Sequence, residues 1–166
     1  MTWSFELAAV DHPDAVRILR EYMVDIATRY HRRHVPDAEI DGYLEEQHSR
    51  DLVPPTGAFL LARRDGVLAG CAGVRVATPD TTELTRVFLR PTERGTGGAA
   101  LLVAAAEDAA RDLGATVMRL DTRSDLVEAR ALYARLGYAE VEPYNDDPFA
   151  QHWFSKPLVR ALSDRV

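Results

Sequence analysis

The period of the apolar positions changes several times along the chain, and each change marks an element. "TWSFELAAV" (2–10) alternates apolar and polar residues, the pattern of a half-buried strand. "DHPD" then offers Asp11 or Asp14 as a helix cap, with Pro13 suited to the first turn. Val16, Leu19, Tyr22, Met23 and Ile26 recur at helical spacing, which predicts a helix with those side chains on its buried face. The helix fades into "HRRHVPD", and a second, more polar helix covers "DAEIDGYLEEQHS" until "LVPPTG" ends it. "GAFLLARRDG" and "VLAGCAGVRVA" read as a hairpin turning at "RDG", and "TTELTRVFLR" as the next strand. An alanine-rich helix runs from Gly97 to Leu113 and stops at Gly114. "ATVMRLDT" is a strand, "DLVEARALYARLG" a helix, and "YAEVEPY" and "QHWFSKPL" are two last strands around "NDDPFA". The order β-α-α-β-β-β-α-β-α-β-β predicts an α/β fold with a mixed sheet.

Composition narrows the function classes. At 166 residues, with no repeat, linker or low-complexity segment, the chain is expected to form one domain over 1–166. The net charge of −6, with acids and bases interspersed, speaks against a nucleic-acid partner. Cys71 is the sole cysteine, which excludes an internal disulfide or a cysteine-rich zinc cluster. Its apolar surroundings read as those of a small buried hydrophobe. His31 and His34 lack a third ligand nearby, so no metal is expected. The first residues lack a signal-peptide pattern, and no apolar run reaches membrane-spanning length. A cytoplasmic protein without a membrane partner is the expectation.

"LRPTERGTGGAALL" carries the most chemistry. No Lys-Ser or Lys-Thr pair follows its glycines, so it is not a nucleotide P-loop. Gly95, Gly97 and Ala100 do satisfy G-x-G-x-x-A. A dinucleotide-binding strand, however, runs straight into the first glycine, and here "RPTER" intervenes. One glycine would serve a tight turn. Three beside an arginine, opening a helix whose first turn bears only small side chains, suit an anion held on free N–H groups, a pyrophosphate above all.

Arg94-Gly95-Thr96-Gly97-Gly98-Ala99 resembles the R-x-x-G-x-G/A signature of the GNAT N-acetyltransferase superfamily. "ELTRVFLRP" is similar to the strand that precedes it there, and "EARALYARLGY" to the family's A-x-x-L-Y-x-x-x-G-F/Y helix. "PYNDDPFAQHWF" resembles the ending of a bacterial subgroup. The resemblance implies a mostly antiparallel, twisted sheet of about seven strands flanked by about four helices. It also implies acetyl-CoA as donor, with its diphosphate on Arg94, Gly95, Thr96, Gly97, Gly98, Ala99 and Ala100. Its pantetheine arm would lie along Val87, Phe88 and Leu89, a strand expected to carry a bulge, and reach Ala129 and Tyr133. Many relatives hold that arm with an asparagine at the position of Leu126, seven before the tyrosine, so Ser124 or Arg123 is a candidate substitute.

Acetyl transfer to an amine needs a neutral nitrogen, donors for the carbonyl oxygen and a proton for the departing thiolate. The resemblance makes Glu83 the first candidate base, Asp121 its competitor and Tyr133 the acid. Asp121 can equally cap a turn, and Tyr133 shares an apolar face with Leu126, Ala129 and Leu136. Candidate acceptor residues are Tyr30 just before "HRRH" and Arg33 within it, Glu83, and Tyr144, Asn145, His152 and Trp153 near the end. "HRRH" offers a carboxylate clamp, although a basic helix end is the plainer reading. The expected acceptor is a small-molecule amine. Alternatives are a protein lysine or N-terminus, a non-catalytic acyl-CoA sensor and, remotely, a dinucleotide-dependent oxidoreductase. A homodimer is left open.

Overall fold

The computed structural model describes residues 1–158, so positions 159–166 of the expected domain lie outside it. β1 (Trp3–Leu7), α1 (Pro13–His31), α2 (Asp37–Glu46), β2 (Gly57–Arg64), β3 (Val67–Thr78) and β4 (Thr81–Leu89) come first. A 3₁₀ turn, Pro91–Glu93, leads into α3 (Gly98–Asp112), β5 (Val117–Thr122), α4 (Val127–Arg135), β6 (Ala139–Val141) and β7 (His152–Pro157). The strands form one sheet in the order β1-β2-β3-β4-β5-β7-β6. Only β4 and β5 pair in parallel; the other neighbours are antiparallel.

Both faces of the sheet are covered, which explains the long apolar strands. β2 is buried almost throughout, and its side chains part by the period of two. Ala58, Leu60 and Ala62 meet Leu102, Val103 and Ala106 of α3. Phe59 and Leu61 meet Ala15, Ile18 and Leu19 of α1 on the other face. α2 packs on α1 through Ile40 and Met23. The turn between β2 and β3 is Asp65-Gly66, with φ of +52° and +83°, the left-handed pair a two-residue hairpin requires.

Several local expectations are corrected. β1 ends at Leu7 rather than running to Val10. His12 is the cap of α1: its Nδ1 accepts the N–H of Asp14 at 3.1 Å, while Asp14 itself pairs with Arg63 at 2.7 Å. Val16 is exposed, and Ala15 and Ile18 take the buried face in its place. The apolar face is therefore shifted by one position in the first turn. β6 is only three residues long, and the segment after it, through Gln151, is loop.

Candidate active site

The cleft follows from a change of pairing in the middle of the sheet. β4 and β5 hold together only from Thr81 to Glu83, opposite Val117 to Arg119. Beyond that point β5 stays with β7, but the β5-facing edge of β4 has no partner among the described residues. β4 is also bulged against β3: Cys71 faces Phe88, whereas Gly73 faces Thr85, leaving one extra residue on β4. Arg86 at this bulge has φ +57°, an uncommon value for a side chain with a Cβ. Four hydrogen bonds hold it. The buried Cys71 thiol donates to the Arg86 carbonyl at 3.2 Å, and the guanidinium bonds Gln47, Ser49 and Thr85. Burial pushes the Cys71 thiol up, so it stays protonated and inert.

Glu83 sits at the apex of the splay. It is the last β4 residue paired with β5, and its carboxylate binds its cross-strand partner Arg119 at 2.6 Å. The Arg119 guanidinium lies 4.1 Å from the centre of the Tyr144 ring. One turn of the strand further on, Asp121 projects into the space the splay opens. Asn145 Nδ2 donates to its Oδ2 at 3.1 Å, and Trp153 Nε1 donates to Asn145 Oδ1 at 2.9 Å, so the amide is fixed in orientation. Asp147 and Phe149 extend this order through turns in which side-chain oxygens accept the next N–H groups. Burial raises the Asp121 carboxyl above the ordinary aspartate range, and the charges of Asp147 and Glu83 push the same way.

The resulting cavity has a volume of about 720 Å³ and is bounded by α1, the end of α2, β4, the end of β5 and the 144–149 loop. Tyr133 reaches it from α4. Its ring is packed edge-on against Tyr138, at 5.7 Å, and tilted against Phe154. Its hydroxyl has no hydrogen-bond partner among the described residues, and burial raises it, so it is protonated at any working pH.

At the far end of β4 lies the glycine loop. Gly95 and Gly97 have φ of +76° and +83°, and a Cβ on either would meet nothing. Backbone conformation alone selects glycine there. Gly98 differs: its Cβ would fall inside the Trp3 indole, so this glycine serves packing. Among the described residues the amides from Gly95 to Ala100 find no acceptor, the ordinary condition of a helix start. They form a donor cradle for an anion.

Splayed parallel strands, a bulged β4 and an open donor loop leading into α3 can be compared with known proteins. The model of the acetyltransferase (GNAT) family matches residues 19–138. The chain belongs to the GNAT acetyltransferase family. It is 34% identical over 133 residues to the IAA acetyltransferase of Azospirillum brasilense, covering 72% of this chain and 86% of that one. A GNAT-family acetyltransferase from Staphylococcus aureus superposes with TM-score 0.75 at 14% identity, over 95% of this chain and 100% of the other. The PaiA N-acetyltransferase of Thermoplasma acidophilum, solved with coenzyme A, gives TM-score 0.72 at 18% identity, over 95% and 99%. Membership makes the chain an acyltransferase with the GNAT fold.

Placed on this GNAT fold, the sequence candidates divide. Tyr30, Glu83, Val87, Asp121, Leu126, Ala129, Tyr133, Tyr144 and Asn145 all line the cleft. Phe88 and Leu89 turn their side chains into the two cores, leaving only main chain for a ligand. Arg94 folds back on the Leu89 carbonyl at 3.0 Å and toward Asp25 at 3.5 Å, away from the glycines. Of the two candidate substitutes for the asparagine, Arg123 lines the cleft, whereas Ser124 does not and bonds Gln151 and His152. His152 pairs there with Glu140, and Arg33 pairs with Glu39, so neither faces the cavity. Trp153 donates to Asn145 and does not line the cavity.

Tyr43, Arg75, Arg86 and Phe149, none of them a candidate from the sequence, also line it. Tyr22, assigned to a core face, lines it as well. For Arg86 the only available signal was a long polar residue within "LTRVFL", where alternation lapses. Among the described residues no helix is long and apolar enough to cross a membrane.

Proposed function

We propose that the cleft moves an acetyl group from acetyl-CoA to the amine of a small molecule, by direct attack with both substrates bound. The observation that carries this is the splay itself. It leaves the β4 edge open between an unpartnered donor loop at one end and a pocket holding Asp121 and Tyr133 at the other. The amides of Gly95 to Ala100 suit the diphosphate, and the unpaired edge beside Val87 to Leu89 suits an amide-bearing arm laid along it like an added strand. A relative named IAA acetyltransferase supports a small acceptor.

Acetyl-CoA supplies the acetyl group as a thioester. Asp121 accepts the proton of the attacking nitrogen as the new C–N bond forms and the C–S bond breaks. Its raised affinity for protons makes it a stronger base than an ordinary aspartate. Glu83 is held by Arg119 and is better suited to fixing the apex. Tyr133 returns a proton to the departing sulfur, and its hydroxyl, without a hydrogen-bond partner among the described residues and kept protonated by burial of the ring, is ready to donate.

Thiol release tests this on purified protein with acetyl-CoA and a panel of small primary amines, with a lysine peptide alongside. Release with a small amine is expected. Release with the peptide alone would shift the acceptor to protein. Binding of acetyl-CoA without release on any acceptor would make the protein an acyl-CoA-binding module.

A further inference from the structure

Three arginines line the cleft, and two are neutralised within the chain. Arg75 is forked onto Asp51, and Arg123 onto Asp125. Arg86 has no carboxylate within ion-pairing distance among the described residues. Its Nε donates to Ser49 Oγ at 3.3 Å, Nη1 to Thr85 Oγ1 at 2.8 Å and Nη2 to the Gln47 carbonyl at 2.9 Å. All three acceptors are uncharged. A guanidinium has five N–H groups, so one remains on each terminal nitrogen. That pair is what a carboxylate bridges end-on.

Two further observations favour a ligand role. Arg86 occupies a left-handed backbone position that glycine would fill without strain, and such a residue is kept where its side chain has work to do. It also lines the same cavity as Tyr22, Asp121 and Arg123, so its free N–H groups share one space with the candidate base. The carboxylate clamp suggested by "HRRH" is spent on Glu39, so Arg86 is the arginine left for it.

We infer that the acceptor is an amino acid or a close analogue, with its carboxylate on Arg86 and its amine toward Asp121. This rests on the acetyl-transfer reading of the cleft. Tyr22, Tyr30, Tyr43 and Phe149 would surround the rest of the molecule. Glu46 and Asp147 also line the cavity and have no cationic partner among the described residues, which makes a diamine the competitor to beat.

The test measures thiol release over L-amino acids, their carboxamides, the corresponding amines lacking the carboxylate, and diamines. The best amino acid should exceed its carboxamide at least about tenfold in kcat/KM. Arg86→Gly, which keeps the bulge conformation, should bring that ratio close to one, and Arg86→Lys should retain part of it. A wild-type ratio near one overturns the inference, as does a preference for diamines or a ratio untouched by Arg86→Gly. Should Arg86→Gly not fold, the wild-type and Arg86→Lys ratios still decide. If amines are acetylated without regard to a carboxylate, only this inference falls; if none is acetylated, the acetyl-transfer reading falls with it.

Discussion

Asp121→Asn should lower kcat by about 100-fold or more while acetyl-CoA still binds, because positioned proton transfer is worth that much. The amide is isosteric, so Asn145 keeps a partner and the 144–149 loop keeps its place. In the wild type, turnover should rise with pH as Asp121 loses its proton, at a pH above the ordinary aspartate range. The variant should lack that limb. Stability should move the opposite way. A carboxyl raised by burial favours the folded state most when protonated, and that contribution is lost as pH rises through its folded value. Asp121→Asn should therefore have a higher Tm than wild type at neutral pH, with the gap closing in acid. A slow variant with unchanged pH profile and unchanged Tm would remove Asp121 as base and return Glu83 or water to the role.

Tyr133→Phe should cost about 100-fold in kcat with little change in the Kd for acetyl-CoA. The ring contributes packing against Tyr138 and Phe154, and phenylalanine preserves it. Tyr138 is held in turn by Glu107 at 2.9 Å, and Glu107 by Lys156 at 3.0 Å, so the ring seat does not depend on the Tyr133 hydroxyl. Only the proton is removed. A large loss of donor affinity with normal turnover would show that the hydroxyl binds rather than donates.

The fold was legible because most elements carry one clear period. β2 is apolar on both faces, but its length, the Asp65-Gly66 turn and the apolar run of β3 leave few alternatives to a covered hairpin. The donor loop was legible for a similar reason: glycine is the signal for positive φ, and Gly95 and Gly97 have it. Gly98 shows the limit of that logic, since a contact with Trp3, far away in sequence, selects it.

The acceptor side was legible only in part. Tyr30, Tyr144 and Asn145 come from loops and helix ends whose polar aromatic composition marks them. Arg33, Ser124 and His152 share that composition and point elsewhere, because ion pairs and turn geometry, not residue type, decide direction. Whether Glu83 is free or paired depends on the register of β4 against β5, which places Arg119 directly opposite it. Arg86 sits at an irregularity of strand pairing, and the lapse of alternation in "LTRVFL" does not say which way its side chain turns.

In the proposed reaction the donor's diphosphate rests on the amides of Gly95 to Ala100. Titration of ¹⁵N-labelled protein with acetyl-CoA, followed through the backbone amide resonances, tests it most directly. Large, saturating shifts at Gly95 through Ala100, with smaller ones from Val87 to Leu89, are the expected result. Saturable binding that leaves Gly95 to Ala100 unmoved, or no binding at millimolar acetyl-CoA, would contradict it.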